Sequence, residues 1–548
     1  MERRTIVLLT AIAVVVVAVF AVISLPGNDD GWDFPEDVTE DDKRYPEASA
    51  ARADFESQQK RTADMLSDSG ASPTDMIGSI NDLAECLLQI RDWDAWVSLS
   101  YYSDPSAMAE TYQDWVELDR DATDSYFSTV KAGLNGPCGD RVEEALKSAD
   151  ADPETFRDYD EATEAEKQLN SRISELVTRY DALMNGEHAD ETATWTSAAQ
   201  IYIQLVQANN DLAQLGGYGG YADYAYESVY GRDYTPEDAE KLTALLPGAT
   251  AVMFAVQQLQ TSPTYSSSSL EWMSDLDTDG VLEVVAGYTD GIADRYADLM
   301  DYMQRCHLIY LNEAENGVKG QAYTSPLVMK ESAYIFVNGY SGPGCVTTAV
   351  HEFGHASAMC LNRDLTSCMD VKEIHSNGLE ALFATSGASA LRGAGAAMSA
   401  EFLCSSMSAI VTGILFTEIE LYAYETEAGT GTLTVDMLQK EFERLLNSAG
   451  LVFGSGCDGL YWVNVPHLFE SPMYYVSYVT SEIGAVDLFV LAASDHAEAE
   501  RRYISLVGQR DIDGYVEAVK TAGLTDAFDA DVANSVIVSS LRALRSMA

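Results

Sequence analysis

The chain has 548 residues, 47% hydrophobic and 22% charged, a balance that excludes intrinsic disorder and leaves room for one large or two ordinary domains. Its 87 acidic residues against 33 basic ones give a formal net charge of −54, a field that repels phosphate backbones and argues against nucleic acid as a partner. The same acidity keeps a protein soluble at high ionic strength and says nothing about fold.

Glu2, Arg3 and Arg4 precede an uncharged run from Thr5 to Leu25, rich in Val, Ile, Leu and Ala. A run of that length spans a bilayer as a helix, whereas a cleaved signal usually has a shorter apolar stretch and a clear small-residue site. Residues 1–26 therefore read as a membrane anchor, with a signal peptide as the alternative. The arginines stay inside, so the chain is expected at the cell membrane as a single-pass protein with its remaining residues outside the cytoplasm, or secreted if cleaved. Residues 27–60 are rich in Asp, Glu, Pro and Arg and read as an acidic linker. Eight cysteines in an exported chain permit disulfides without fixing a connectivity, and many of them suit burial as free thiols.

Residues 61–200 form an N-terminal helical region. Leu83, Leu87, Ile90 and Trp93 recur at helical spacing, similar stretches cover 107–131 and 162–184, and Asn135-Gly136-Pro137 and Gly216–Gly220 break the pattern. Residues 201–548 make up a second region, which carries the motifs taken up below. Asp275–Gly280 begins like a calcium loop, but Ala286 stands where a bidentate glutamate is required, so a turn capping the next helix is the better reading. Ala333–Asn338 is short, aromatic and β-branched, a strand running into the turn Gly339–Gly344; Cys345–Cys360 returns to helical periodicity.

That helix carries His351-Glu352-Phe353-Gly354-His355. Residues four apart share a helix face, so both imidazoles can reach one zinc ion, while Glu352 flanks the position left for water and can take its proton. A third ligand must come from elsewhere. Glu373 lies 18 residues beyond His355 in a segment that suits a second helix, with Glu380 on the same face, placed to orient a ligand imidazole. His375, pointing roughly 200° away from Glu373, is the weaker candidate.

The strand Ala333–Asn338, the helix with His351–His355, the element Glu373–Glu380 and the segment Pro466–Tyr478 together resemble the oligoendopeptidase F and thimet-oligopeptidase family of zinc metallopeptidases, over about residues 200–530. A weaker match runs from Tyr503–Gly508 to Ala522–Leu524. The resemblance implies a mainly α fold, a neurolysin-like helical clamshell with a small β-sheet beside the zinc site. It implies one zinc per chain on His351, His355 and Glu373, with Glu352 as general base. His467, Tyr475 and Tyr478 would face the substrate carbonyl, where imidazole and phenol donors stabilise an oxyanion. Residues Ala333, Tyr334, Ile335 and Phe336 would pair with the backbone of an oligopeptide substrate. The rival functions are a surface peptide-binding protein with little catalysis and an angiotensin-converting-type carboxydipeptidase. Cleavage preference and oligomeric state are not encoded in these motifs.

Overall fold

The computed structural model describes residues 35–547 except 158, 160–162, 185–190, 363–367, 387–390, 452–457 and 510–513. The expected anchor at residues 1–26 lies outside the described residues. The chain is mainly helical with one three-stranded sheet, as the sequence led us to expect. Its compact units are not consecutive in sequence. One is built from the described residues up to 161 together with 273–366, the other from 162–272 together with 367–548. The expected boundary near residue 200 is therefore replaced by two interleaved units, each completed by a later stretch of chain that local periodicity cannot assign.

In the first unit, helices Ala48–Ser67, Pro73–Ser103 and Pro105–Leu134 pack around Leu83, Leu87, Trp115 and Tyr126. Ser72 and Asp75 form a capping box ahead of the second helix, with Pro73 at its first turn, and Asp104 caps the third. The third helix stops at Leu134, just before Asn135-Gly136-Pro137. The first helix corrects the linker reading, because residues 48–60 are folded rather than tethering. Its buried stripe is Ala51, Phe55, Gln58, Thr62 and Leu66, which has helical period but contains two polar members. Thr62 Oγ1 donates to the Ser79 carbonyl and accepts from Gln58 Nε2, so these polar side chains are satisfied inside, and hydrophobicity alone does not reveal the stripe.

The sheet of this unit comprises β1 (Ile309–Leu311), β2 (Gln321–Leu327) and β3 (Ser332–Asn338) in the order β1-β3-β2. β3 runs parallel to β1 and antiparallel to β2, and all seven of its residues are buried. This corrects the assignment of Ala333, Tyr334, Ile335 and Phe336 to substrate pairing. Both edges of β3 are already occupied by strands, and its side chains form core, with Tyr334 stacked on Trp96 at 5.1 Å. β1 and β2 are the edge strands, and Pro326 is tolerated in β2 because an edge needs no complete ladder. Asp277 caps helix Thr278–Thr289 by accepting from the Gly280 N–H at 2.9 Å, the turn-and-cap role expected for that segment.

In the second unit, helix Gly395–Thr430 is the central element, packed against Leu246–Gln260 and Val476–Ala492. Its apolar character reflects burial on several sides. At Gly413 a Cβ would stand 2.7 Å from Val479 Cγ2, so glycine lets Val476–Ala492 approach closely. Helix Met369–Thr385 packs on Val476–Ala492 and on the central helix. The seven described cysteines are all free thiols and mostly buried; Cys457 lies outside the described residues.

Candidate metal centre

β3 ends in a turn at Gly339, whose φ of +85° and whose approach of 2.7 Å between a would-be Cβ and the Gly320 nitrogen leave no room for a side chain. Helix Gly342–Asn362 follows, with Pro343 at its start. Val346, Val350 and Phe353 recur at helical spacing and are fully buried, while His351 and His355 are half-buried. The two imidazoles stand with ring centroids 5.0 Å apart, as positions i and i+4 require.

Glu352 is buried beside them, and Thr324 of β2 holds it. The Thr324 hydroxyl lies 2.7 Å from Glu352 Oε2 and 2.9 Å from the Glu352 carbonyl, sharing one proton between two acceptors. Strand β2 thus fixes the direction of the Glu352 carboxylate.

Glu373 and Glu380 both lie on helix Met369–Thr385, Glu373 buried and Glu380 half-buried. The ligand atoms of His351, His355 and Glu373 all lie within 4.8 Å of one another. His375 does not join them; it is buried, and its carbonyl accepts from the Tyr503 hydroxyl at 2.7 Å. Two imidazoles and one carboxylate are the donor set of a catalytic zinc site, so these residues fit that ion.

The third group lies on the segment from helix His467–Glu470 to the start of Val476–Ala492. His467 stacks on Tyr474 with centroids 5.9 Å apart, and Tyr475 and Tyr478 meet the imidazole edge-on at 5.9 and 6.3 Å. The expected residues His467, Tyr475 and Tyr478 therefore form one cluster, and the residue that ties it to Glu373 is Tyr474. Its hydroxyl donates to Glu373 Oε1 at 2.8 Å. Burial, and next the charge of Glu373, hold the Tyr474 phenol well above its ordinary pKa, so it stays a donor. Sequence reasoning gave Tyr474 no role, because a Tyr-Tyr pair beside a helix start reads equally well as core. Thr324 carried no signal at all, since strands β1 and β2 were not evident: one is three residues long and the other is polar and interrupted by proline.

The fold and these donors define the class: a mainly helical protein carrying a His-Glu-x-x-His helix beside a small sheet. The fold is similar to that of several solved structures described as peptidases. Pz peptidase A, in complex with an inhibitor, aligns with a TM-score of 0.69 at 16% identity over 92% of this chain and 98% of its own. A Bacillus anthracis protein provisionally assigned as oligoendopeptidase F aligns with a TM-score of 0.64 at 16% identity, covering 93% of this chain and 98% of its own. Oligoendopeptidase F from Enterococcus faecium gives 0.55 at 14% identity, covering 91% and 98%. No protein-family model and no curated protein matches the sequence. The shared fold is thus that of oligoendopeptidase F structures, as the motifs led us to expect.

Proposed function

We propose that this protein is a zinc metallopeptidase that hydrolyses peptide bonds in short or unfolded oligopeptides. One observation carries the reading: the ligand atoms of His351, His355 and Glu373 cluster, and Glu352, on the helix of the two histidines, is a buried, oriented carboxylate outside that cluster. The fold shared with Pz peptidase A and oligoendopeptidase F supports the same class of reaction. A zinc ion held by these residues supplies Lewis acidity, polarising a carbonyl and lowering the pKa of water to about 7.

The protein's own groups divide the remaining work. Glu352 accepts the proton of the attacking water, with Thr324 keeping the carboxylate in one rotamer, and returns it to the departing amine. Glu373 is held by Tyr474, and Glu380 is proposed to orient a ligand histidine from the same helix. His467, Tyr475 and Tyr478 offer imidazole and phenol donors to an oxyanion; burial raises the Tyr475 phenol, which keeps it protonated through neutral pH. The edge strand β2 is the proposed partner for an extended substrate, in place of β3. We further propose that the uncharged run at residues 5–25 anchors the chain in a membrane with the catalytic region outside. Cleavage of an internally quenched peptide by the purified chain should stop with 1,10-phenanthroline and return with added Zn2+. Binding of that peptide without any cleavage would instead favour the peptide-binding reading.

A further inference from the structure

The second unit contains a buried arginine that neither the motif nor the proposed chemistry uses. Arg232 follows a π-helical turn at Ala225–Val229, and its side chain is fully buried together with that of Asp370. Its guanidinium is packed among Tyr226, Tyr230 and Tyr234, with ring centroids 4.5, 4.4 and 5.6 Å away. Each of its nitrogens has a different task. Nε donates to Asp370 Oδ2 at 3.2 Å, one terminal nitrogen to the Met473 carbonyl at 2.9 Å, and the other to Ser477 Oγ at 2.9 Å.

These acceptors lie on the helix that carries Glu373 and on the segment that carries its partner Tyr474. Asp370 precedes Glu373 by three residues on the same helix, and its other oxygen is fixed by Tyr234 and Thr480, at 2.7 and 2.6 Å. Met473 immediately precedes Tyr474, whose hydroxyl donates to Glu373. Met473 has a φ of +69°, a left-handed conformation that a non-glycine residue keeps only when its surroundings over-determine it. Its surroundings do so: Arg232 grips its carbonyl, and Glu420 Oε1 accepts from its N–H at 2.7 Å. A left-handed methionine clamped at both peptide groups, one residue before a tyrosine on a candidate ligand, is strain placed where it aims a side chain.

We infer that Arg232 is a positioning residue, which bridges Asp370 and the Met473 carbonyl so that Tyr474 and Glu373 meet in the orientation the metal requires. The inference rests on the metallopeptidase reading of Glu373. Lysine cannot replace Arg232, because an ammonium lacks the planar fork that reaches three acceptors in three directions.

The test uses the full chain loaded with Co2+, whose visible absorption reports the coordination geometry whether or not peptides are cut. Wild type should bind one Co2+. Arg232→Lys should weaken Co2+ binding by about 10- to 100-fold, shift the visible band and lower kcat by a similar factor, with KM changed less than about threefold. Tyr234→Phe, which removes one donor to Asp370 and keeps the ring, should move the same readouts in the same direction by a smaller factor. A purely architectural arginine would lower Tm in Arg232→Lys and leave the band, affinity and kcat of the folded protein as in wild type, and that result overturns the inference. If Arg232→Lys does not fold, Tyr234→Phe decides: wild-type band and affinity in that variant overturn it equally. Absence of Co2+ binding by wild type would overturn the metal reading itself, and the positioning role with it.

Discussion

Tyr474→Phe removes a single oxygen and tests how Glu373 is held. The hydroxyl donates to Glu373 Oε1 at 2.8 Å, and both residues are buried, with exposures of 4% and 8%. A hydrogen bond to a charged group contributes about 1.5–3 kcal/mol net. At about 1.4 kcal/mol per factor of ten, zinc affinity should fall by roughly 10- to 100-fold, the range found when a partner of a metal ligand is lost. The ring remains to stack on His467 and to fill its place in the core, so Tm should change little compared with a truncation to alanine. Competition against a fluorescent zinc chelator at fixed pH gives the affinity directly. A dissociation constant within threefold of wild type would show that Tyr474 does not hold the ligand, and would refute the reasoning from its geometry.

Two further outcomes follow from other residues. Burial pushes the Glu420 carboxyl up to about 8, so the folded chain binds a proton there that the unfolded chain releases near its ordinary value of 4.5. Its contribution is therefore favourable at low pH and is lost as pH rises from about 4.5 to 8; Glu420→Gln should be more stable relative to wild type at pH 9 than at pH 5, by up to about 4 kcal/mol, in urea unfolding at the two pH values. Thr324→Val keeps the shape of β2 but frees the Glu352 carboxylate to leave its rotamer, so kcat should drop by about 10-fold with zinc content unchanged; unchanged kcat in steady-state peptide hydrolysis would remove Thr324 from the site.

How much the sequence discloses depends on how local the determinant is. The strand at Ala333–Asn338, the histidine helix and the Glu373–Glu380 helix are each written in a dozen residues with their own periodicity, and each forms as read. The cap at Asp277 is likewise local, an Asx turn closing on Gly280. Apart from the helix at residues 48–60, the failures are non-local. That β3 is a central strand depends on β1 and β2, which are short or polar and gain stability only by pairing with it. The interleaved units depend on stretches separated by about a hundred residues of intervening chain. Arg232 acts on Asp370 and Met473 across 138 and 241 residues, a link no local pattern announces. One trace of it is visible: Tyr226, Tyr230 and Tyr234 recur every four residues around that arginine, and three aromatic rings so spaced beside a cation mark a buried charge.

The central claim is that Glu352 moves the proton while other residues hold the metal, and Glu352→Gln tests it most directly. Glutamine keeps an oxygen that can accept from Thr324 but cannot accept a proton from water. Zinc content by atomic absorption and turnover of a quenched peptide should be measured on the same preparation of the full chain. We expect one zinc per chain, as in wild type, with kcat lowered by several orders of magnitude. Equal zinc with undiminished turnover would contradict the assignment of the base, and loss of the zinc itself would show that Glu352 is a ligand.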